Sequence, residues 1–225
     1  MLLVMVGVGS LLFGLVLPGG NPVTTNINLV VPALAFGIIV MSLIYTIGPI
    51  SGCHINPAVS IGVWSIGGMK TKDMVIYVIM QIIGGIIGAA FLYMMFKDGG
   101  GSMNTSAAGD FGTTYYDTKY SMAVVFVIEI ISAFILQIVI LGSLGNKGNE
   151  ALAGVSIGLV VGAIILFTGG FDGAGINPIR DLSPAIFAGG KSLEQAWLFV
   201  VAPIIGAIIG SWLFKWMATP AKKAA

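Results

Sequence analysis

Residues 52–62 read GCHINPAVSIG and residues 173–183 read GAGINPIRDLS. Both contain Gly-x-x-Ile-Asn-Pro, with Asn56 and Asn177 separated by an offset of 121 positions. Asn followed by Pro is a helix start: the Asn side chain accepts from free backbone N–H groups, and Pro at the first helical position lacks the N–H that would go unpaired. One such pair is commonplace. Two, at corresponding places in very apolar surroundings, call for a common explanation.

The surroundings exclude a water-soluble domain. The chain has 225 residues, 57% hydrophobic and 8% charged, with mean hydropathy +1.02, whereas soluble domains carry about 25% charged residues. Apolar runs of ~18 residues or more mark membrane-crossing helices. Five are evident at Asn28–Gly48, Met74–Phe96, Met122–Gly142, Ala151–Thr168 and Trp197–Met217, and Met1–Leu17 is a slightly short sixth. The chain therefore reads as one all-α membrane domain over residues 1–225.

Net charge is +1, which offers nothing to nucleic acid, and the single cysteine, Cys53, cannot form an internal disulfide. No basic segment precedes the first apolar run, so a cleaved signal peptide is not expected. Glycine, 33 of 225 residues, is about twice its usual ~7% and in a membrane suits close helix packing. With both termini cytoplasmic, Lys70, Lys72, Lys147, Lys215, Lys222 and Lys223 fall inside, against Lys97, Lys119 and Lys191 outside. The positive-inside rule favours that orientation in the plasma membrane.

The offset extends beyond the Asn-Pro pairs. PALAFGIIVMSLI from Pro32 lies over AGVSIGLVVGAII from Ala153, with Gly37 on Gly158; at 122 residues, QIIGGIIGAA from Gln81 lies over PIIGAIIGSW from Pro203. Two repeats follow, roughly 1–96 and 122–217. Each has three spans, an odd number, so the second is inverted. Ala58–Ile66 and Ile179–Phe187 are too short to cross and suit re-entrant half-helices, tolerated at membrane depth only where buried in protein or lining a watery cavity. Inverted repeats with broken helices place their site near the midplane.

Six helices, two Asn-Pro loops and an Arg after the second resemble the aquaporin family (major intrinsic proteins), over essentially residues 1–217. SGCHINPAV matches the family signature fully; GINPIRD departs at Ile179, where the family usually has Ala. The resemblance implies a passive channel for water, without cofactor, metal or enzymatic activity, assembled as a homotetramer in the lipid bilayer. Its central constriction would be built from Asn56, Pro57, Ala58, Asn177, Pro178 and Ile179. The two Asn amides would hold a passing water by its oxygen, and two helix N-termini, each worth roughly +0.5 charge, would repel cations.

Family positions for the selectivity filter fall on Phe36, Ile165, Ala174 and Arg180. Water-specific members carry His at the Ile165 position; this set looks most like archaeal aquaporins, which also have Ile there. The opening should be wider and more apolar than a strict water filter, admitting small neutral solutes such as glycerol. Asp181 is glycerol-facilitator-like, or simply an acid in a first helical turn. Glu129 corresponds to a family Glu that supports the re-entrant loop. The offset maps Cys53 onto Ala174, suggesting a thiol that faces the pore.

His54 reads as a loop residue, Asp172 and Glu194 as members of solvated outer loops, and Lys97–Tyr120 as a long outside loop. The position matching Glu129 in the first repeat falls about five residues before Met1, so a longer natural polypeptide with an upstream Glu is expected. A predominantly glycerol-conducting facilitator is one alternative, and a proton-coupled transporter relying on Glu129 another. An intramembrane enzyme would need a nucleophile–base pair or a ligand cluster that the spans lack.

Overall fold

In hydrocarbon a backbone N–H or C=O finds no water, so the long apolar runs satisfy these groups internally as helices. The computed structural model describes residues 1–13, 27–97, 104–105, 109–117, 119–145 and 148–219. A π-helical turn, Val4–Val8, runs into α1 (Gly9–Phe13). There follow α2 (Ile27–Ser51), the short α3 (Pro57–Ser65) and α4 (Thr71–Lys97). A two-residue antiparallel ladder pairs β1 (Asn104–Thr105) with β2 (Gly109–Asp110). The second half contains α5 (Met122–Leu144), α6 (Glu150–Asp172), the short α7 (Pro178–Ala188) and α8 (Gly190–Ala218).

Among the described residues five helices, α2, α4, α5, α6 and α8, are long and apolar enough to cross a membrane. They contain the five longer runs seen in the sequence. The remaining run, Met1–Leu17, is helical as far as Phe13; residues 14–17 lie outside the described residues. The outward faces remain apolar, with Leu159, Phe167 and Trp216 exposed by 69%, 65% and 73%. Apolar side chains displayed that widely suit hydrocarbon rather than water. This is a membrane protein.

Close helix contact comes from glycine. The α2–α6 and α5–α8 pairs are the most extensive in the fold. A Cβ on Gly37 would stand 2.8 Å from the Gly158 carbonyl oxygen, and one on Gly158 2.6 Å from that of Gly37. On α8, a Cβ at Gly206 would lie 2.1 Å from the Ile130 carbonyl oxygen. These backbones touch directly, so dispersion and close packing hold the pairs where hydrophobic exclusion of water is absent.

Two expectations about the loops are corrected. Asp172 is not in a solvated loop: it is the last residue of α6 and buried. The Lys97–Tyr120 segment is also not wholly an outer loop, since Phe111, Thr113 and Thr114 are buried. Glu194 is exposed but belongs to α8, which starts directly after Gly189. Gly189, at φ +68°, makes the turn from α7 into α8.

Candidate functional site

Each short helix is entered by the same backbone path. Gly52, Cys53 and Ile55 have φ of +75°, +49° and +41°; Gly173, Ala174 and Ile176, at the 121-residue offset, have +93°, +56° and +64°. Positive φ is ordinary for Gly but a true outlier for a β-branched residue, costing of order 1–3 kcal/mol and persisting only where the surroundings enforce it. Both chains then straighten at an extended Asn, with φ −151° at Asn56 and −140° at Asn177.

The Asn side chains do two jobs. Asn56 Oδ1 accepts from the Ala58 N–H at 2.9 Å and Asn177 Oδ1 from the Ile179 N–H at 3.1 Å, capping α3 and α7. Asn56 Nδ2 donates to the Ile176 carbonyl at 3.2 Å, while Asn177 Nδ2 donates to the Ile55 carbonyl at 3.0 Å. Each amide thus grips the residue preceding the other Asn. This reciprocal pair locks the two helix N-termini toward one another. One N–H of each amide goes to that grip, and each amide has a second.

The second loop is held from behind by acids. Glu129, fully buried on α5, accepts the Gly175 N–H through Oε1 at 2.8 Å and the Ile176 N–H through Oε2 at 2.7 Å. Asp172 Oδ1 accepts the Ala174 N–H at 2.8 Å. A Cβ on Gly175 would meet Asp181 Oδ2 at 2.7 Å and both Glu129 oxygens at 2.9 Å, so only glycine fits. With these N–H groups turned back into protein, the loop can keep its unusual backbone.

Arg180, 2% exposed, is fixed on three sides. Nη1 donates to the Gly112 carbonyl and to Asp181 Oδ1, both at 3.2 Å, and Nη2 donates to the Gly173 carbonyl at 3.3 Å. Asp181 Oδ1 also accepts from the Thr114 hydroxyl at 2.8 Å. The guanidinium carbon lies 5.5 Å from the centre of the Phe36 ring, within cation–π range. Asp181 is therefore the Arg180 anchor as well as a first-turn acid of α7.

A cavity of about 730 Å³ gathers these groups, lined by Phe36, Ile165, Ala174, Arg180, Asn56, Asn177, Cys53 and His54 among mostly apolar neighbours. Phe36 and Gly48 both line it and stand twelve residues apart on α2, ~18 Å at 1.5 Å per residue, so the cavity follows about half of that helix. His54 Nδ1 pairs with Ser60 Oγ at 3.1 Å, and its ring meets Tyr77 edge-on. Pro57, Ala58 and Pro178 are buried at the half-helix starts. Ile179 packs into α4, where a Cβ on Gly85 would stand 2.4 Å from Ile179 Cγ1. Gly85 thus makes the room that the larger side chain needs.

Sequence reasoning missed Asp172, Thr114 and the Gly112 carbonyl. The acid ahead of a Gly at a helix end was a usable signal for Asp172. A carbonyl acceptor leaves no mark in side-chain chemistry.

The comparisons agree with this geometry. The family model described as major intrinsic protein matches residues 1–214. The chain is 35% identical over 204 residues to an Aquaporin Z of Rhodopseudomonas palustris, covering 89% of this chain and 83% of that protein. It is 36% identical over 216 residues to one of Photorhabdus laumondii, covering 95% and 91%. Among solved structures, the aquaglyceroporin from Plasmodium falciparum superposes with TM-score 0.76 at 25% identity, covering 95% of this chain and 90% of that one. The chain belongs to the major intrinsic protein family.

Proposed function

We propose that this protein is a passive channel for water that also admits small neutral solutes such as glycerol while excluding ions and protons. The observation that carries the reading is the pair of facing half-helix N-termini, tied by Asn56 and Asn177, inside a cavity that Phe36, Ile165, Ala174 and Arg180 also line. Family membership and relatives named Aquaporin Z support it.

The chemistry follows from the parts. Helix N-termini and Arg180 give the pathway fixed positive potential, which opposes cations and hydronium. The second N–H of each Asn offers a donor to a passing water oxygen, turning the hydrogens of that water away from its neighbours in the file. Proton hopping is interrupted there. Phe36, Ile165 and Ala174 form apolar walls that suit the carbon backbone of a small polyol, with Arg180 donating to its hydroxyls.

The two halves act as inverted repeats within one domain. In support, Gly206 and Gly210 of α8 pack on α5, and their counterparts Gly84 and Gly88 of α4 pack on Met1 and Val4 of the first helix. The lysine distribution favours cytoplasmic termini in the plasma membrane, and a homotetramer with one pore per subunit is the assembly expected for the family.

Stopped-flow light scattering on proteoliposomes tests the reading. Fast shrinkage in sucrose, and slower but measurable glycerol entry, are expected. Water permeability no greater than that of empty liposomes would end the channel reading; glycerol outrunning water would turn it into a facilitator. Ile165→His should lower glycerol flux more than water flux, because it adds bulk and a polar group to an apolar wall. An unchanged ratio would remove Ile165 from the constriction.

A further inference from the structure

The ring of Phe36 is wedged between the cavity and the first helix, and the wedge has one distinctive contact. Gly7, buried in the π-helical turn Val4–Val8, is where the first helix meets the ring. A Cβ placed on Gly7 would stand 2.2 Å from Phe36 Cε1 and 2.5 Å from both Cδ1 and Cζ. Carbon atoms settle at ~3.5–4.0 Å, so any side chain at position 7 drives the ring back by about 1 Å or more. Gly7 is not among the positive-φ glycines, so alanine there is acceptable to the backbone itself. The three nearest atoms all belong to one aromatic ring.

We infer that Gly7 is a positioning residue for the selectivity filter: its missing side chain lets the Phe36 ring retract from the pathway, and so sets the filter's width. This rests on the channel reading above. The ring cannot move toward the first helix, where the new Cβ would sit. It moves toward the cavity that Phe36 shares with Ile165, Ala174 and Arg180, and toward the guanidinium 5.5 Å from its centre. A displacement of that size narrows a passage built for single small molecules, and the wider permeant is lost first. Gly7 therefore discriminates between solutes without contacting them.

Neighbouring Gly9 provides a control on the same helix. A Cβ there would meet only Leu92 Cδ2, at 3.3 Å, a flexible terminus remote from Phe36 in the sequence.

The test compares wild type, Gly7→Ala, Gly9→Ala, Phe36→Ala and the Gly7→Ala/Phe36→Ala double variant in proteoliposomes, with flux normalised to reconstituted folded protein. Gly7→Ala should cut glycerol flux several-fold and water flux less, while Gly9→Ala keeps the wild-type ratio. In the Phe36→Ala background, adding Gly7→Ala should change neither flux, since no ring remains to push. A Gly7→Ala ratio equal to wild type, or higher glycerol flux, would overturn the inference. So would an undiminished Gly7→Ala effect when Phe36 is already alanine, which would mark a general packing defect. Should Gly7→Ala alone fail to fold, the two Phe36→Ala proteins still decide the matter through their ratio. Wild type without flux would overturn the channel reading itself, and this role with it, an outcome distinct from a conducting wild type with an unaltered Gly7→Ala ratio.

Discussion

Glu129→Ala should lose most water flux and unfold at a distinctly lower temperature than wild type. Both carboxylate oxygens are committed, one to the Gly175 N–H and one to the Ile176 N–H. Alanine leaves two buried donors without acceptors, at ~1–3 kcal/mol each, so a loss of about 2–6 kcal/mol falls on the loop that sets Asn177. Partial relief comes from removing one acid beside Asp181, whose Oδ2 converges on Gly175 with the Glu129 oxygens. Glu129→Gln keeps one acceptor but points an N–H₂ at the other backbone donor, so it should fall between the two. Thermal unfolding in detergent and flux per folded protein measure both effects. A Glu129→Ala protein with wild-type stability and flux would mean that Asp172 and Arg180 hold the loop unaided.

The same variants separate support from proton transport. Each Glu129 oxygen accepts one backbone N–H and keeps a second lone pair, so the flux measurements on the variants decide between the two roles. Support predicts that Glu129→Gln damages water flux and leaves proton flux at background. Coupled transport predicts measurable proton flux in wild type, abolished by Glu129→Gln with water movement intact.

How much of this architecture could be read beforehand depends on what kind of partner each group has. The starts of α3 and α7 were legible because Asn capping and Pro at the first helical position are local chemistry. The five long helices were legible because a long apolar run with at most one charge satisfies its backbone in hydrocarbon as a helix. Residues such as Ile55 and Ile176 ran against propensity: nothing in an isoleucine announces φ above zero, and it is held by the opposing loop and, at Ile176, by Glu129 as well. The grip of each Asn on the other loop was equally hidden, since its acceptors are the carbonyls of Ile55 and Ile176. Asp172 was misplaced for a related reason. An acid beside glycines resembles a solvated turn; its bond to the Ala174 N–H two residues on is local, but its burial comes from the packing around it. Local rules thus described each half-helix, while contacts between the halves carried what the rules could not.

A small mercurial should block water flux through wild type, and a thiol reductant should restore it. Cys53 occupies the same left-handed position in the first loop that Ala174 occupies in the second, at φ +49° against +56°. Both line the cavity, each three residues before its Asn. Cys53 is free and only 6% exposed, and it is among the residues that line the cavity, so a reagent arriving through the cavity is expected to reach its sulfur. A mercury atom attached there adds bulk to a passage sized for single molecules, and flux should fall toward that of empty liposomes. The alternative is a thiol packed as a small hydrophobe, for which labelling would be slow and would leave transport untouched. Cys53→Ser should conduct normally and ignore the mercurial, because it preserves size and removes the soft ligand. Full flux in wild type after mass spectrometry has confirmed mercury on Cys53 would show that the sulfur points away from the water.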